Sequence, residues 1–288
     1  MNGSVETVSS NVSQAKIDDC RAKIDNALVV ELSQRKDSLF YEPLVKALKG
    51  GKRLRPIFLL LSYECVNKTR ENPFPAAVAV ELLHTESLIH DDIIDGDFLR
   101  REAAAFHASH SSEMTILSAD FVLSVVLGLT ARYKNPRVAQ TLAFATSEMC
   151  EGELEELMVS TKKQKIGVDE YIDIVSKKTA SLFEASTAIG AIIAGAKEDE
   201  VKALSEYGRL VGIAYQIQDD ITDLEKTSTN ILRLLDTEKI RTLKEMSRSY
   251  LFKAEEKLEK IRMNEDKILL LELARSIAPH AVTKRAHN

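Results

Sequence analysis

Apolar residues recur along this chain at helical spacing, three or four positions apart, and no convincing stretch alternates as a strand would. The pattern predicts helices over Gln14–Ser38, Glu42–Lys49, Leu54–Asn67, Pro75–Ile94, Glu113–Tyr133, Pro136–Lys163, Val168–Ala196, Glu198–Leu224 and Thr237–Asn264, with a last one before Pro279. The breaks have local causes. Gly50-Gly51 stops a helix and frees the backbone to approach an anion, and Pro75 and Pro136 suit the first turn of the helix each precedes. Gly96 to His110 is polar and loop-like, and no Asn-Gly or Asp-Gly pair marks a hairpin. Small residues in 185–196, with Gly190 and Gly195, predict a tightly packed central helix. No long linker divides the chain. The expected fold class is therefore all-α: a single domain over 14–288 after a flexible, Ser-rich segment 1–13.

Composition narrows the function. At 288 residues and 44% hydrophobic content the chain can bury a sizeable core. A net charge of -5 gives no support for nucleic acid as a partner. Cys20, Cys65 and Cys150 have neither disulfide-framework nor zinc spacing, so they read as free thiols. Residues 1–14 lack the apolar core of a secretory signal. The most apolar stretch, Thr115 to Thr130, carries Asp120 and falls short of the ~20 residues a membrane span needs. The expectation is a cytoplasmic protein without a membrane span.

Two clusters of the form D-D-x-x-D then change the picture: Asp91-Asp92-Ile93-Ile94-Asp95 and Asp219-Asp220-Ile221-Thr222-Asp223. Each closes a helix that reads as buried. Carboxylates gathered at helix ends repel one another unless cations neutralise them. Hard divalent ions prefer such oxygens, keep several waters and bridge to phosphates, so the pair suggests a trinuclear-type Mg2+ site holding a diphosphate. One cluster alone reads equally well as a solvated acidic face; two of identical spacing beside apolar sequence favour the metal. Basic groups supply the other half: Gly50-Gly51-Lys52-Arg53-Leu54-Arg55-Pro56, Arg100-Arg101 and Lys177-Lys178-Thr179. Any one of these alone reads as surface decoration.

The segments G-G-K-R-L-R-P at 50–56, L-L-H-T-E-S-L-I-H-D-D-I-I-D at 82–95, R-R at 100–101, K-T at 178–179 and Y-Q-I-Q-D-D-I-T-D at 215–223 carry a resemblance, with His107 and I-L-S-A-D at 116–120 as weaker matches. The chain resembles the trans-isoprenyl (polyprenyl) diphosphate synthases, which include farnesyl and geranylgeranyl diphosphate synthases. The resemblance implies a helical bundle around a deep central cavity, working as a homodimer. It implies that Asp91, Asp92, Asp95, Asp219, Asp220 and Asp223 bind Mg2+, three ions in all, with Mn2+ as an alternative. Arg100 and Lys178, with Thr179 and Gln216 nearby, would hold an allylic diphosphate; Lys52, Arg55, His84 and Arg101 would hold isopentenyl diphosphate. The implied reaction ionises the allylic diphosphate, adds isopentenyl diphosphate to the cation and releases a proton to the departed diphosphate. In this family the residues just before the first cluster, here Glu86 and Ser87, set chain length. Neither is aromatic, which predicts a geranylgeranyl-length product.

The chain departs from the family pattern after Asp223, where Leu224 to Thr242 lacks the usual glycines and leaves Lys226 or Lys239 as the diphosphate-capping lysine. Glu102 and Ala104 stand where the family has Gly and Pro, and Glu153 and Glu156 where it has Gln and Asp. These departures keep open a non-catalytic or regulatory subunit; farnesyl diphosphate synthase is another alternative. A terpene cyclase on the same scaffold would lack Lys52, Arg55 and His84.

Overall fold

The computed structural model describes residues 3–96, 98–100, 103–224 and 230–277. The all-α expectation holds. The helices are α1 (Gly3–Ser33), α2 (Tyr41–Ala47), α3 (Leu54–Val66), α4 (Phe74–Asp95), α5 (Phe106–Ser109), α6 (Ser112–Thr130), α7 (Arg137–Lys162), α8 (Val168–Val175), α9 (Ser181–Ile193), α10 (Glu198–Asp223), α11 (Thr237–Lys257) and α12 (Glu265–Ile277). The expected loop 96–110 contains a two-residue ribbon, β1 (Leu99–Arg100) antiparallel to β2 (Ala103–Ala104), with Leu99 opposite Ala104. The described residues divide into two compact units, 1–60 with 71–139, and 61–70 with 140 onward.

In the first unit α4 is the organising helix, packed against α6 and α1. Pro75 stands in its first turn, where a missing N–H costs nothing. The Tyr133 hydroxyl accepts from Ala76 N at 3.0 Å and donates to Asn72 O at 2.7 Å, which fixes the helix start. Residues 76–80 and Leu82–Leu83 are all but inaccessible to solvent. Gly96 ends α4 in the left-handed region, φ 69°, with its N–H on Asp92 O; few side chains tolerate that conformation. The first cluster is thereby held at the last turn. Helix α6 starts at Ser111, whose hydroxyl accepts from Met114 N. It buries Ala119, Val122, Val125, Val126 and Leu129 but exposes Ile116, Leu117, Leu123 and Leu127. Asp120 notwithstanding, α6 is long and apolar enough to cross a membrane by length and composition, with mean hydropathy 1.6 and 44% of it buried.

In the second unit α10 is the spine, flanked by α9, α11 and α8. Helix α9 is buried along its whole length except at Glu184, as its small residues predict. Two glycines on α10 permit a close approach. A Cβ on Gly208 would fall 2.6 Å from Phe183 O, and one on Gly212 would fall 2.7 Å from Ala180 Cα.

Several boundaries differ from expectation, and the first helix ends at Ser33 rather than Ser38. Helix α1 starts at Gly3, because a polar, Ser-rich run carries no apolar stripe for periodicity to detect. The stretch read as one helix over 168–196 is broken by a π-turn at Ser176–Ala180. The helix starting at Thr237 stops at Lys257 and tightens into a 3₁₀ turn, Leu258–Lys260, before α12.

Candidate active site

Both aspartate clusters sit where α-helices end, α4 at Asp95 and α10 at Asp223, and neither last turn contains a basic residue. The C-terminal pole of a helix carries partial negative charge and unpaired carbonyls. Carboxylates stacked there are doubly disfavoured until a cation arrives. Asp91 is half-buried and Asp92 is 2% exposed; the side chain of Asp95 lies outside the described residues. In the second unit Asp219, Asp220 and Asp223 are all half-buried. Among the described residues no three ligating side chains converge on one point. The donors are hard oxygens, which suits Mg2+, an ion that completes its shell with water and substrate phosphate rather than an all-protein cage.

The basic segment of the first unit splits by role. Gly50, Gly51 and Arg53 all have positive φ (73°, 98° and 53°), so the chain turns sharply here. Arg53 is the cation the turn buries. Its Nε lies 2.8 Å from Asp25 Oδ1 and its Nη1 2.6 Å from Glu81 Oε1, and Nη2 reaches Leu48 O. Burial works against its charge, but Glu81 and Asp25 outweigh that and raise its pKa. Arg53 is thus a structural clamp, while Lys52 is exposed. Arg55 Nη1 lies 3.0 Å from His84 Nε2. A guanidinium can only donate, so the imidazole accepts at Nε2 and keeps its proton on Nδ1. A cavity of about 590 Å³ opens beside this turn, lined by Lys46, Gly50, Gly51, Leu88, Asp92 and His110 among others. Arg100 is placed by its backbone in β1, its side chain outside the described residues; Arg101 and Glu102 lie outside them altogether.

Glu86 and Ser87 occupy the same helix two turns before its end. Ser87 donates to His84 O at 2.9 Å. Glu86 Oε1 lies 3.3 Å from His90 Nδ1. Burial raises the Glu86 pKa, Asp120 on α6 adds to the rise, and His90 opposes it.

In the second unit the π-turn spreads consecutive side chains over its neighbours, Lys177 to α7 and α8, Lys178 to α7 and Thr179 to α10. A π-turn holds one residue more than an α-turn and often marks function. Lys177 Nζ lies 2.6 Å from both Glu155 Oε1 and Asp173 Oδ2. Lys178 Nζ lies 2.7 Å from Glu153 Oε2 and 2.9 Å from Glu156 Oε2. Gly152 makes this possible: a Cβ there would stand 2.4 Å from Lys178 N. Thr179 Oγ1 donates to Gln216 Oε1 at 3.0 Å, and Gln216 Nε2 donates to Asp220 Oδ1 at 2.9 Å. The Tyr171 hydroxyl donates to Asp220 Oδ2 at 2.6 Å. Burial pushes the Asp220 carboxyl up to about 7; Glu156 and Asp219 add to this, and the Tyr171 and Gln216 hydrogen bonds oppose it. Burial, then Asp220, likewise raise Tyr171 well above the phenolic range. Asn230 Nδ2 donates to Asp220 O at 2.7 Å and Arg233 Nη2 to Leu224 O at 2.9 Å, covering end carbonyls of α10. Lys226 lies outside the described residues, and Lys239 Nζ is placed on Ile166 O and Asp236.

Sequence reading did not find Tyr171, Asn230, Gly152 or the clamp Asp25–Arg53–Glu81. Tyr171 looks like one more apolar position of α8, and Asp25 and Glu81 each stand 28 residues from their partner.

Comparison with known proteins agrees with this picture. The Polyprenyl synthetase pattern matches residues 37–236. A geranylgeranyl diphosphate synthase of Methanosarcina mazei is 38% identical over 208 residues, 70% of this chain and 63% of that protein. A short chain isoprenyl diphosphate synthase of Methanocaldococcus jannaschii is 36% identical over 206 residues, 70% of this chain and 62% of that protein. The match thus spans less than two thirds of either relative's length. The crystal structure of a geranylgeranyl pyrophosphate synthetase from Pyrococcus horikoshii superposes with a TM-score of 0.82 at 28% identity, covering 93% of this chain and 98% of that one. With the pattern matched over most of its length and its two D-D-x-x-D clusters each closing a long helix, this chain belongs to the polyprenyl synthetase family.

Proposed function

We propose that this chain, with 14–288 as its synthase domain, is a cytoplasmic prenyltransferase. It condenses isopentenyl diphosphate head-to-tail with an allylic diphosphate (dimethylallyl, geranyl or farnesyl) to geranylgeranyl diphosphate. The observation that carries this reading is the pair of aspartate clusters at the negative ends of α4 and α10, with Lys178 and Arg55 on nearby elements of the respective units. The relatives named for geranylgeranyl products support the chain length.

Asp91, Asp92, Asp95, Asp219, Asp220 and Asp223 would hold Mg2+, three ions in all, with Mn2+ as an alternative. When bound, that cation supplies the positive charge that makes diphosphate a leaving group. Lys178 and Arg100 grip its oxygens, Lys178 after exchanging Glu153 and Glu156 for the ligand, with Thr179 and Gln216 beside it. Lys52, Arg55 and Arg101 hold the diphosphate of isopentenyl diphosphate, with His84 orienting the Arg55 fork. Apolar walls exclude water that would quench the allylic cation. The lost proton goes to the released diphosphate, so no side chain is needed as base. Glu86 and Ser87, which lack aromatic bulk, leave room for a longer chain. The exposed apolar stripe of α6 at Ile116, Leu117, Leu123 and Leu127 supports a homodimer.

Incubation with isopentenyl and farnesyl diphosphates and MgCl2, with products sized by mass spectrometry, tests the reading. A C20 product is expected; product that stops at C15 or runs past C25 rejects the chain length. Asp91→Ala should lower the rate by about two to three orders of magnitude, and an unchanged rate rejects the metal assignment. A non-catalytic subunit is the second reading, favoured by the carboxylates already on Lys178; activity of the purified single chain excludes it.

A further inference from the structure

Asp220 is held by two neutral donors. Its two carboxylate oxygens each accept one hydrogen bond from a neutral donor, Gln216 Nε2 at 2.9 Å and the Tyr171 hydroxyl at 2.6 Å. The Gln216 amide is itself oriented, since its oxygen accepts from Thr179 and its nitrogen must therefore face Asp220. Tyr171 is fixed from the other end. Its side chain is 0% exposed, and it belongs to the apolar cluster of Ile174, Val175, Ile213 and Ile217. A buried ring leaves its hydroxyl one direction in which to point.

We propose that Tyr171 is a positioning residue for Asp220, locking the carboxylate so that its remaining lone pairs face outward to a divalent cation. Each carboxylate oxygen has two lone pairs, and each has spent one on a protein donor. The plane and rotamer of the carboxylate are then set before any ligand arrives, as second-shell partners do for metal ligands. Tyr171 touches neither cation nor substrate. Its effect therefore falls on metal affinity and on the rate that depends on it. The proposal rests on the metal-binding part of the reading above.

The test compares wild type with Tyr171→Phe, which keeps the ring and removes the hydroxyl, and with Tyr207→Phe as control. Tyr207 is equally buried and gives its hydroxyl to Leu270 O at 2.6 Å, away from the aspartates. Mn2+ binding in the presence of inorganic pyrophosphate is followed by electron paramagnetic resonance, and turnover by Mg2+ titration. In Tyr171→Phe, Mn2+ affinity should weaken about 10- to 100-fold, the half-saturating Mg2+ concentration should rise, and KM for isopentenyl diphosphate at saturating Mg2+ should stay at the wild-type value. Tyr207→Phe should lose thermal stability without either metal effect. Should Tyr171→Phe not fold, Tyr171→Met fills the space flexibly and is read the same way. A folded Tyr171 variant with wild-type Mn2+ affinity overturns the proposal, as does a Tyr207→Phe protein with the same metal defect. Wild-type protein that binds Mn2+ and pyrophosphate but makes no prenyl product removes the transferase reading and leaves this one to the binding data.

Discussion

Lys178 Nζ lies 2.7 Å from Glu153 Oε2, and both side chains are largely shielded from solvent. The lysine assigned to the allylic diphosphate is thus partly neutralised before the ligand arrives. Glu153→Gln should lower KM for the allylic diphosphate roughly five-fold, the equivalent of about 1 kcal/mol for a partly solvated pair. Salt should weaken that gain, because screening acts on the freed charge. Initial rates at two ionic strengths decide it, and an unchanged KM would show that Lys178 does not meet the substrate.

Arg53 and Arg55 are two residues apart and should fail differently. Arg53→Ala leaves Glu81, 2% exposed, without its cation. Loss of one partner from a buried pair costs about 3–5 kcal/mol, to be read from urea unfolding. Arg55→Ala should shift unfolding little and raise KM for isopentenyl diphosphate instead. Equal unfolding midpoints for the two variants would remove the division of labour.

Asp220 makes stability depend on pH when metal is absent. Its carboxyl titrates near 3.8 in the unfolded chain and at about 7 when folded. Between those values the folded state binds the extra proton, so stability falls as pH rises through the window and the loss is complete above it. In EDTA, thermal unfolding of wild type should move to lower temperature from pH 5 to pH 8. Asp220→Asn should flatten that contribution; a variant with the wild-type slope would place the titration elsewhere.

Gly208→Ala tests the packing of α9 on α10. The added Cβ would meet Thr187 Oγ1 at 2.3 Å and Phe183 O at 2.6 Å, and the latter is backbone that cannot swing away. Overpacking of this kind costs about 1–3 kcal/mol. A calorimetric scan showing no loss would mean the two helices can part cheaply.

The helical architecture was readable because each long helix buries one face, and burial writes itself into spacing: Leu54 to Val66 and Glu198 to Asp223 begin within a residue of expectation. The aspartate clusters were readable because their six residues are local. What spacing could not report is which polar group meets which across the fold. Asp25, Glu81 and Tyr171 announce nothing alone, and nothing in the basic run 52–55 marks Arg53 as a buried clamp. The π-turn was invisible for a different reason. It adds one residue to a helical stretch and leaves the apolar rhythm on both sides intact.

That extra residue makes the 176–180 segment an unusual target for deletion. Removing one position between Val175 and Ser181 would let helix run unbroken from Val168 to Ile193 and so satisfy local propensity better. Because a π-turn packs its extra residue into a single turn, the helices on either side would keep their phase. Tyr171 would stay beside its aspartate, and the change would fall on Lys177, Lys178 and Thr179, the side chains of the turn itself. A change that straightens the backbone would thus leave both flanking helices where they are and scramble only the side chains that the extra residue spreads apart.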